Sequence, residues 1–324
     1  MRVGLSRWRV AVTAVLVAAV VAACGGGDGG SKADPTPTPD PPVSLKLQAL
    51  DTYARGTDGL LALSMHTNGA HPPKVKVALR FDVPAGKSLK TQYEPVGSTG
   101  WDGWPTLKLA RSAGPEAGLD TLSGSYTVPI KDEDIWRLYL NPQYGPSGAD
   151  DAVAVHATLS SAGRTLASDS VKAPLAALTV SVLDMKGTTL HRDGRWTEAT
   201  YAVHNVSTRD IAHVDAGLNI SPCSADDVVG CDPTGADVAD GFTMQQYDGH
   251  RWVAVTRSAN AVGHVLSTSL KAGASARVRV RVAAAAGLGK DVTRVDISLA
   301  AGGKMPGAKT SSYDSAARTF DIAR

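Results

Sequence analysis

From Val43 onward, apolar and polar residues alternate in short runs that are broken by clusters of Gly, Pro, Asp and Asn. The clearest runs are Val75-Lys-Val77-Ala-Leu79-Arg-Phe81-Asp-Val83 and Ala276-Arg277-Val278-Arg279-Val280-Arg281-Val282. Successive side chains of a strand point to opposite faces of its sheet, so such runs predict half-buried strands. Further strands are predicted over Ser44 to Leu50, Leu60 to Met65, Ile135 to Leu140, Val153 to Leu159 and Leu178 to Leu183. Thr197 to His204, Val214 to Ile220, Trp252 to Thr256 and Val295 to Leu299 complete the set. No stretch keeps a 3.6-residue period over the length of a helix. The predicted class is all-β, and the even spacing of strands and turns suits β-sandwiches.

The pattern occurs twice. Asp102-Gly103, then Leu107, Leu109 and Arg111-Ser112-Ala113, recurs without a gap as Asp248-Gly249, Val253, Val255 and Arg257-Ser258-Ala259. Val75 to Phe81 matches Val214 to Ile220, each after a turn containing an asparagine (Asn68, Asn205) and each followed by a proline (Pro84, Pro222). This predicts a duplicated domain, with residues 43–175 as the first sandwich and 176–324 as the second. The boundary is placed at Ala173-Pro174-Leu175-Ala176, after which Leu178-Thr-Val180-Ser-Val182 restarts the pattern.

Ahead of the repeat the chain changes character. Arg2, Arg7 and Arg9 precede an uncharged stretch from Val10 to Val21, too short to span a bilayer and in keeping with a signal peptide over residues 1–23. Val21-Ala22-Ala23-Cys24 resembles the site at which bacterial lipoproteins receive a diacylglycerol on the cysteine sulfur and are cleaved just before it. The resemblance implies that Cys24 is the mature N-terminus, carrying lipid on the extracytoplasmic face of a membrane. Residues 24–42 are Gly/Asp/Ser-rich and then Pro-rich, ending Pro35-Thr-Pro37-Thr-Pro39-Asp-Pro41-Pro42. Without apolar periodicity this reads as a tether, whose Pro segment alone reaches roughly 25 Å as polyproline II.

Charge removes one class of partner. The chain has 33 Lys+Arg against 31 Asp+Glu, and loss of the three leader arginines leaves the remainder near neutral, so nucleic acid is not expected. Acids other than Glu94, Glu116, Glu133 and Glu198 are all aspartate, which favours turns over helix interiors. With Cys24 taken by lipid, Cys223 and Cys231 remain as a close pair, read as a disulfide in an exported protein. Zinc is the alternative, although no nearby Cys or His pair completes four ligands. Asp226, Asp227, Asp232, Asp237 and Asp240 crowd the same loop; solvated turns are the default reading, and Asp232, Asp237 and Asp240 are weak calcium candidates. Tyr201-Ala-Val-His-Asn205, the Cys223/Cys231 loop, Tyr247-Asp-Gly249 before Trp252, and Leu270-Lys-Ala-Gly273-Ala-Ser together resemble immunoglobulin-like surface domains of bacteria, particularly actinobacteria. That resemblance implies two tandem immunoglobulin-like sandwiches used as spacers or binding modules, with the first copy lacking the cysteines.

Candidate chemistry is sparse. Trp101-Asp-Gly-Trp104, preceded by Tyr93, puts three aromatics near one predicted loop, where rings could stack on sugar or peptide or instead pack inward. Arg277, Arg279 and Arg281 share one strand face, either a solvated face or a contact for an anionic polymer or lipid headgroups. His-Glu-x-x-His, Gly-x-Ser-x-Gly and a phosphate-binding Gly-x-x-x-x-Gly-Lys are all absent. The function expected is a lipid-anchored, non-catalytic binding or structural module of the cell envelope, without a cofactor. Its partners are the membrane, and a cell-wall glycan or another envelope protein. The alternatives are a carbohydrate-binding lipoprotein and, behind it, an envelope hydrolase with a site between the domains.

Overall fold

The computed structural model describes residues 43–68, 72–95, 103–130, 133–224, 241–256, 263–309 and 311–323. These residues belong to one compact unit and contain strands but no helix. The strands of the first half are β1 (Val43–Ala49), β2 (Tyr53–Ala54), β3 (Gly59–Thr67), β4 (Lys74–Pro84), β5 (Leu89–Tyr93), β6 (Ala110–Ala113), β7 (Leu119–Pro129), β8 (Glu133–Pro142), β9 (Ala152–Ser161) and β10 (Arg164–Ala176). Those of the second half are β11 (Leu178–Met185), β12 (Thr189–His191), β13 (Thr197–Asn205), β14 (Ile211–Ser224), β15 (Phe242–Tyr247), β16 (Trp252–Ala254), β17 (Gly263–Leu270), β18 (Ser275–Ala284), β19 (Val292–Gly303) and β20 (Ser312–Ala323).

Each half is a pair of sheets. The first has the orders β1-β3-β8-β5 and β2-β10-β9-β4-β7-β6, the second β11-β13-β18-β15-β16 and β12-β20-β19-β14-β17. The two plans coincide strand for strand, down to the parallel pairing of β2 with β10 and of β12 with β20 in otherwise antiparallel sheets. They differ at the edges, where β6 is added in the first half and where a single bridge between Gln92 and Thr106 stands in place of β16.

Pairing also sets the register between copies. Leu107 N–H donates to the Thr91 carbonyl and Val255 N–H to the Met244 carbonyl, while Thr91 and Met244 lie opposite Leu140 of β8 and Val282 of β18. Leu107 therefore corresponds to Val255, and Trp104 to Trp252. The gapless alignment pairs Leu107 with Val253 instead, two residues away. A two-residue slip leaves every side chain on its original face, so alternation alone does not detect it.

Two apolar cores lie between the paired sheets. One joins Leu61, Leu63 and Leu138 to Phe81, Val155 and Leu159; the other joins Tyr201, Val278 and Val280 to Leu218, Leu299 and Phe320. Ala177, between β10 and β11, belongs to the second core. The strands with the sharpest inner/outer contrast, such as β4 and β18, line these cores with their apolar residues and turn their Lys and Arg outward.

The sandwiches touch where the segment after β8 meets the turn after β13. Thr208 N–H donates to the Pro146 carbonyl at 3.0 Å. Gly145 lies directly on the Val206 peptide, and a Cβ at that position would coincide with the Val206 carbonyl oxygen. Because backbone cannot move aside as a flexible side chain does, Gly145→Ala should break this contact. We expect the variant to unfold in two separated calorimetric transitions, with the wild type giving closer or merged ones; an unchanged profile would show that the contact does not couple the halves.

Candidate functional site

The outer faces of the two β4-type sheets are built from small residues. On the first, register places Ser168, Thr158, Ala78 and Ser125 in one row and Ser170, His156, Arg80 and Ser123 in the next. With no long side chains along most of its floor, the face forms a groove of about 890 Å³. One end of the groove holds a charged cluster. Asp82 is buried; its Oδ1 accepts from Thr121 Oγ1 at 2.8 Å, and its Oδ2 lies 3.2 Å from Arg80 Nη2 and 3.3 Å from His156 Nε2. The carboxylate is held by three partners from three strands, so the exposed parts of Arg80 and His156 are fixed in direction.

The matching sheet of the second sandwich carries a groove of about 610 Å³. Gly217, Ala300 and Gly302 form its floor, because Asp215 pairs with Gly302 and Gly217 with Ala300. Tyr313, opposite Gly302 on β20, is 61% exposed, and His213 Nε2 lies 2.7 Å from Asp215 Oδ2. The Tyr313 ring lies against Gly302, where a Cβ would meet it at 3.5 Å, so a planar ligand has Gly217 and Ala300 to lie on and an exposed phenol ring to pack against. Among the described residues, no Ser or Thr hydroxyl hydrogen-bonds to His156, and no group of three or more His, Cys, Asp or Glu is arranged to hold a metal. What these arrangements offer chemically is oriented donors and acceptors over a shallow floor.

The aromatic loop predicted as the binding site is assembled differently. Trp104 is only 4% exposed and packs against the Tyr139 ring at 4.7 Å, while its carbonyl accepts from Gln92 Nε2. It is not an open stacking platform, because hydrophobic area is gained by closing it onto the outer face of β8. Tyr93 is half-buried and stacks on Tyr126 at 4.4 Å. Trp101 lies outside the described residues. So do Cys24, Cys231, Asp232, Asp237 and Asp240; Cys223 is buried at the end of β14.

The arginine stripe is where the second copy departs most from the first. Arg279 lies over the rings of Tyr247 (4.6 Å) and Trp252 (5.5 Å), and Arg281 over those of Trp196 (4.5 Å) and Trp252 (4.6 Å). Arg281 Nε also donates to Gln245 Oε1 at 2.8 Å, and Arg279 is 3.6 Å from Glu198. The Glu198 carboxyl is held below its ordinary range, chiefly by the hydrogen bond from Lys186 and also by Arg279. These residues lie on the outer face of the β11-β13-β18-β15-β16 sheet, away from the groove. Alternation in the sequence shows the arginines on one face; their partners come from β13, β15, β16 and the segment before β13, which only folding brings alongside.

No family model matches the chain, and no curated protein matches it. Among solved structures, it is similar over 46% of its length to 90% of AvmM, described as catalysing macrocyclization in alchivemycin A biosynthesis, at 13% identity and a TM-score of 0.34. It is similar over 86% of its length to 16% of the alpha-2-macroglobulin of E. coli, at 12% identity and a TM-score of 0.30. Over 46% of its length it is similar to 51% of Spo0M, a sporulation control protein from Bacillus subtilis, at 13% identity and a TM-score of 0.26. At these scores and identities the likenesses carry nothing about function.

Proposed function

We propose that this chain is a lipid-anchored, extracytoplasmic binding module with two immunoglobulin-like sandwiches on a Gly/Pro tether, and that it holds a cell-wall glycan without catalysis. The observation that carries the reading is the recurrence of a groove floored mostly by small residues on the same sheet of both copies, edged by the Asp82-held Arg80 and His156 in the first and by the exposed His213–Asp215 pair in the second. Polar groups held by their own partners lose little freedom on binding, which suits recognition of hydroxyl-rich ligands by hydrogen bonds. The lipidation site at Val21-Ala22-Ala23-Cys24 supplies the attachment, because two or three acyl chains make membrane binding effectively permanent at about 0.8 kcal/mol per buried CH₂. The Cys223–Cys231 disulfide belongs to the same proposal and is worth roughly 2.5 kcal/mol by the loop-entropy relation.

Tyr313→Ala and Arg80→Gln test the grooves: Tyr313 is 61% exposed, and in Arg80→Gln the buried Asp82 keeps Thr121 and His156 and can accept from the introduced amide. Each is expected to weaken binding of the full-length protein to isolated cell-wall glycan about tenfold, with the melting temperature unchanged for Tyr313→Ala and lowered by only about 2 to 4 °C for Arg80→Gln, whose buried Asp82 loses one of three partners. Unaltered binding in both variants would overturn the assignment. In the same strains, Cys24→Ala should move the protein from the detergent phase to the aqueous phase; retained partitioning and palmitate labelling would remove the lipid anchor from the proposal.

A further inference from the structure

The row on β18 has features that a merely solvated face lacks. Arg277, Arg279 and Arg281 recur every second residue, so their side chains rise from the sheet about 6.8 Å apart along a straight line. Two of the three are restrained. Arg279 and Arg281 lie over the rings of Tyr247, Trp252 and Trp196; Arg281 gives its Nε and Nη2 to Gln245 Oε1 and Arg279 pairs through Nη2 with Glu198, so the remaining guanidinium N–H groups are what faces a ligand. An arginine already held on a ring loses less rotamer freedom when it pairs with an anion than a free one does.

The first copy shows that this is not simply what the sheet requires. Thr91 and Met244 fix the correspondence of β8 with β18, so Ile135, Arg137 and Tyr139 occupy the places of Arg277, Arg279 and Arg281. There Tyr139 closes onto Trp104, Arg137 pairs with Glu94 at 3.5 Å, and Ile135 is an exposed apolar residue. The second copy keeps the ring at the Trp104 position as Trp252 and has a guanidinium where the first has a phenol. Its neighbourhood is cationic in balance: Lys186, Arg251, Arg277, Arg279 and Arg281 face Glu198 and Asp248, whose carboxylates pair with Lys186 and Arg279, and with Arg251, respectively. The chain as a whole is near neutral, so this excess is local. On the β13 side the row is bordered by Glu198, Thr200 and Ala202, opposite Arg281, Arg279 and Arg277, with Asp184 of β11 beyond Thr200, so the wall is low beside Arg277 and Arg279 and acidic at the Arg281 end, and the cations still outnumber the acids.

We propose that this row is a contact surface for an acidic polysaccharide, whose carboxylates pair with the three guanidinium groups in turn. The straight line of charges fits an extended chain, and Trp196, 38% exposed at the Arg281 end, adds apolar surface for the C–H face of a sugar ring. The surface is on the sheet opposite the grooves and does not rest on the groove assignment.

The test uses the full-length protein in detergent, with polygalacturonate as the acidic sugar polymer, dextran as its neutral counterpart, and polyphosphate and a soluble short-chain phosphatidylglycerol as non-sugar anions. Polygalacturonate should bind, with affinity falling about tenfold or more between 50 and 200 mM salt, as screening of exposed charges requires. Arg279→Gln with Arg281→Gln should weaken binding at least tenfold. Arg277→Gln should weaken it about threefold with an unchanged melting temperature, which keeps the test valid if the double variant also loses stability. Tyr313→Ala and Arg80→Gln should leave this binding as it is, so failure of the groove reading and failure of the row are distinguishable. Dextran binding that the arginine variants weaken as much as they weaken polygalacturonate, tighter binding of polyphosphate or the phospholipid than of the sugar, or indifference of polygalacturonate binding to the arginine variants would each overturn the proposal, whereas dextran binding lost in Tyr313→Ala or Arg80→Gln alone belongs to the grooves and leaves the row proposal standing.

Discussion

Trp104→Ala is expected to lower the stability of the protein by about 3 kcal/mol, at the low end for truncating a buried tryptophan. The ring is almost wholly shielded and packs on Tyr139, on the outer face of β8 and outside the main apolar core of its sandwich. Truncation removes the transfer free energy of the indole and leaves a void beside the Tyr139 ring, which the single bridge between Gln92 and Thr106 does little to close. The matching change, Trp252→Ala, should cost less, because that ring is half-buried and its neighbours include two solvated arginines. Urea midpoints of the two variants measure the difference. A loss below 1 kcal/mol for Trp104→Ala would mean that the ring is loosely held, and would restore it as a candidate ligand contact.

Asn205→Asp should be the most damaging isosteric change in the second sandwich. The Asn205 side chain is fully buried; its Nδ2 donates to the carbonyls of Arg209, Leu270 and Lys271 at 2.8, 3.0 and 3.1 Å. Its Oδ1 accepts from the N–H and hydroxyl of Ser207 at 3.0 and 2.6 Å. One amide thereby closes the turn after β13 and ties it to the end of β17, and the same turn presents Val206 to Gly145. A carboxylate keeps the acceptor but turns the donor into a second acceptor facing three carbonyl oxygens. Each buried group left without a partner costs about 1 to 3 kcal/mol, so the expected loss at neutral pH is about 3 kcal/mol or more, above that of Asn205→Ala.

The pH dependence gives the sign. Burial, with three carbonyl oxygens facing Oδ2, outweighs the Ser207 donors on Oδ1 and raises the pKa of the introduced acid in the folded state above its unfolded value near 4. The folded variant then binds more protons than the unfolded one as pH rises through that window, and stability falls with rising pH. The deficit should be smaller at pH 4, where the protonated acid can donate to one carbonyl, than at pH 7. A deficit independent of pH, or an Asp variant as stable as wild type, would show that the amide network does not hold the turn.

Strands were legible where the two faces of the chain differ strongly in chemistry. In β4 and β18, buried valines alternate with Lys and Arg, and the pattern alone predicts both strand and facing. The strands β7, β10, β17 and β20 were not read, because most of their outward positions are Ser, Thr or Ala, with isolated exceptions such as Lys172, His264 and Tyr313, and give little contrast with the inward ones. The same lack of large outward side chains on the β4 and β14 sheets is what opens the grooves, so the property that hides some of these strands in the sequence also shapes the candidate site.

The sequence by itself determined the all-β class and the sharing of one face by Arg277, Arg279 and Arg281, because each follows from a period of two along a single stretch of chain. Only the tertiary structure decided what stands beside those residues. Two tryptophans at corresponding positions meet different neighbours, Tyr139 in one copy and Arg281 in the other, and the first is sealed while the second holds a cation. Asp82, Thr121 and His156 likewise come from three strands distant in sequence and meet through register alone. Alternation along a strand fixes which way a side chain points; what it points at is fixed by the pairing of strands, which depends on the whole sheet.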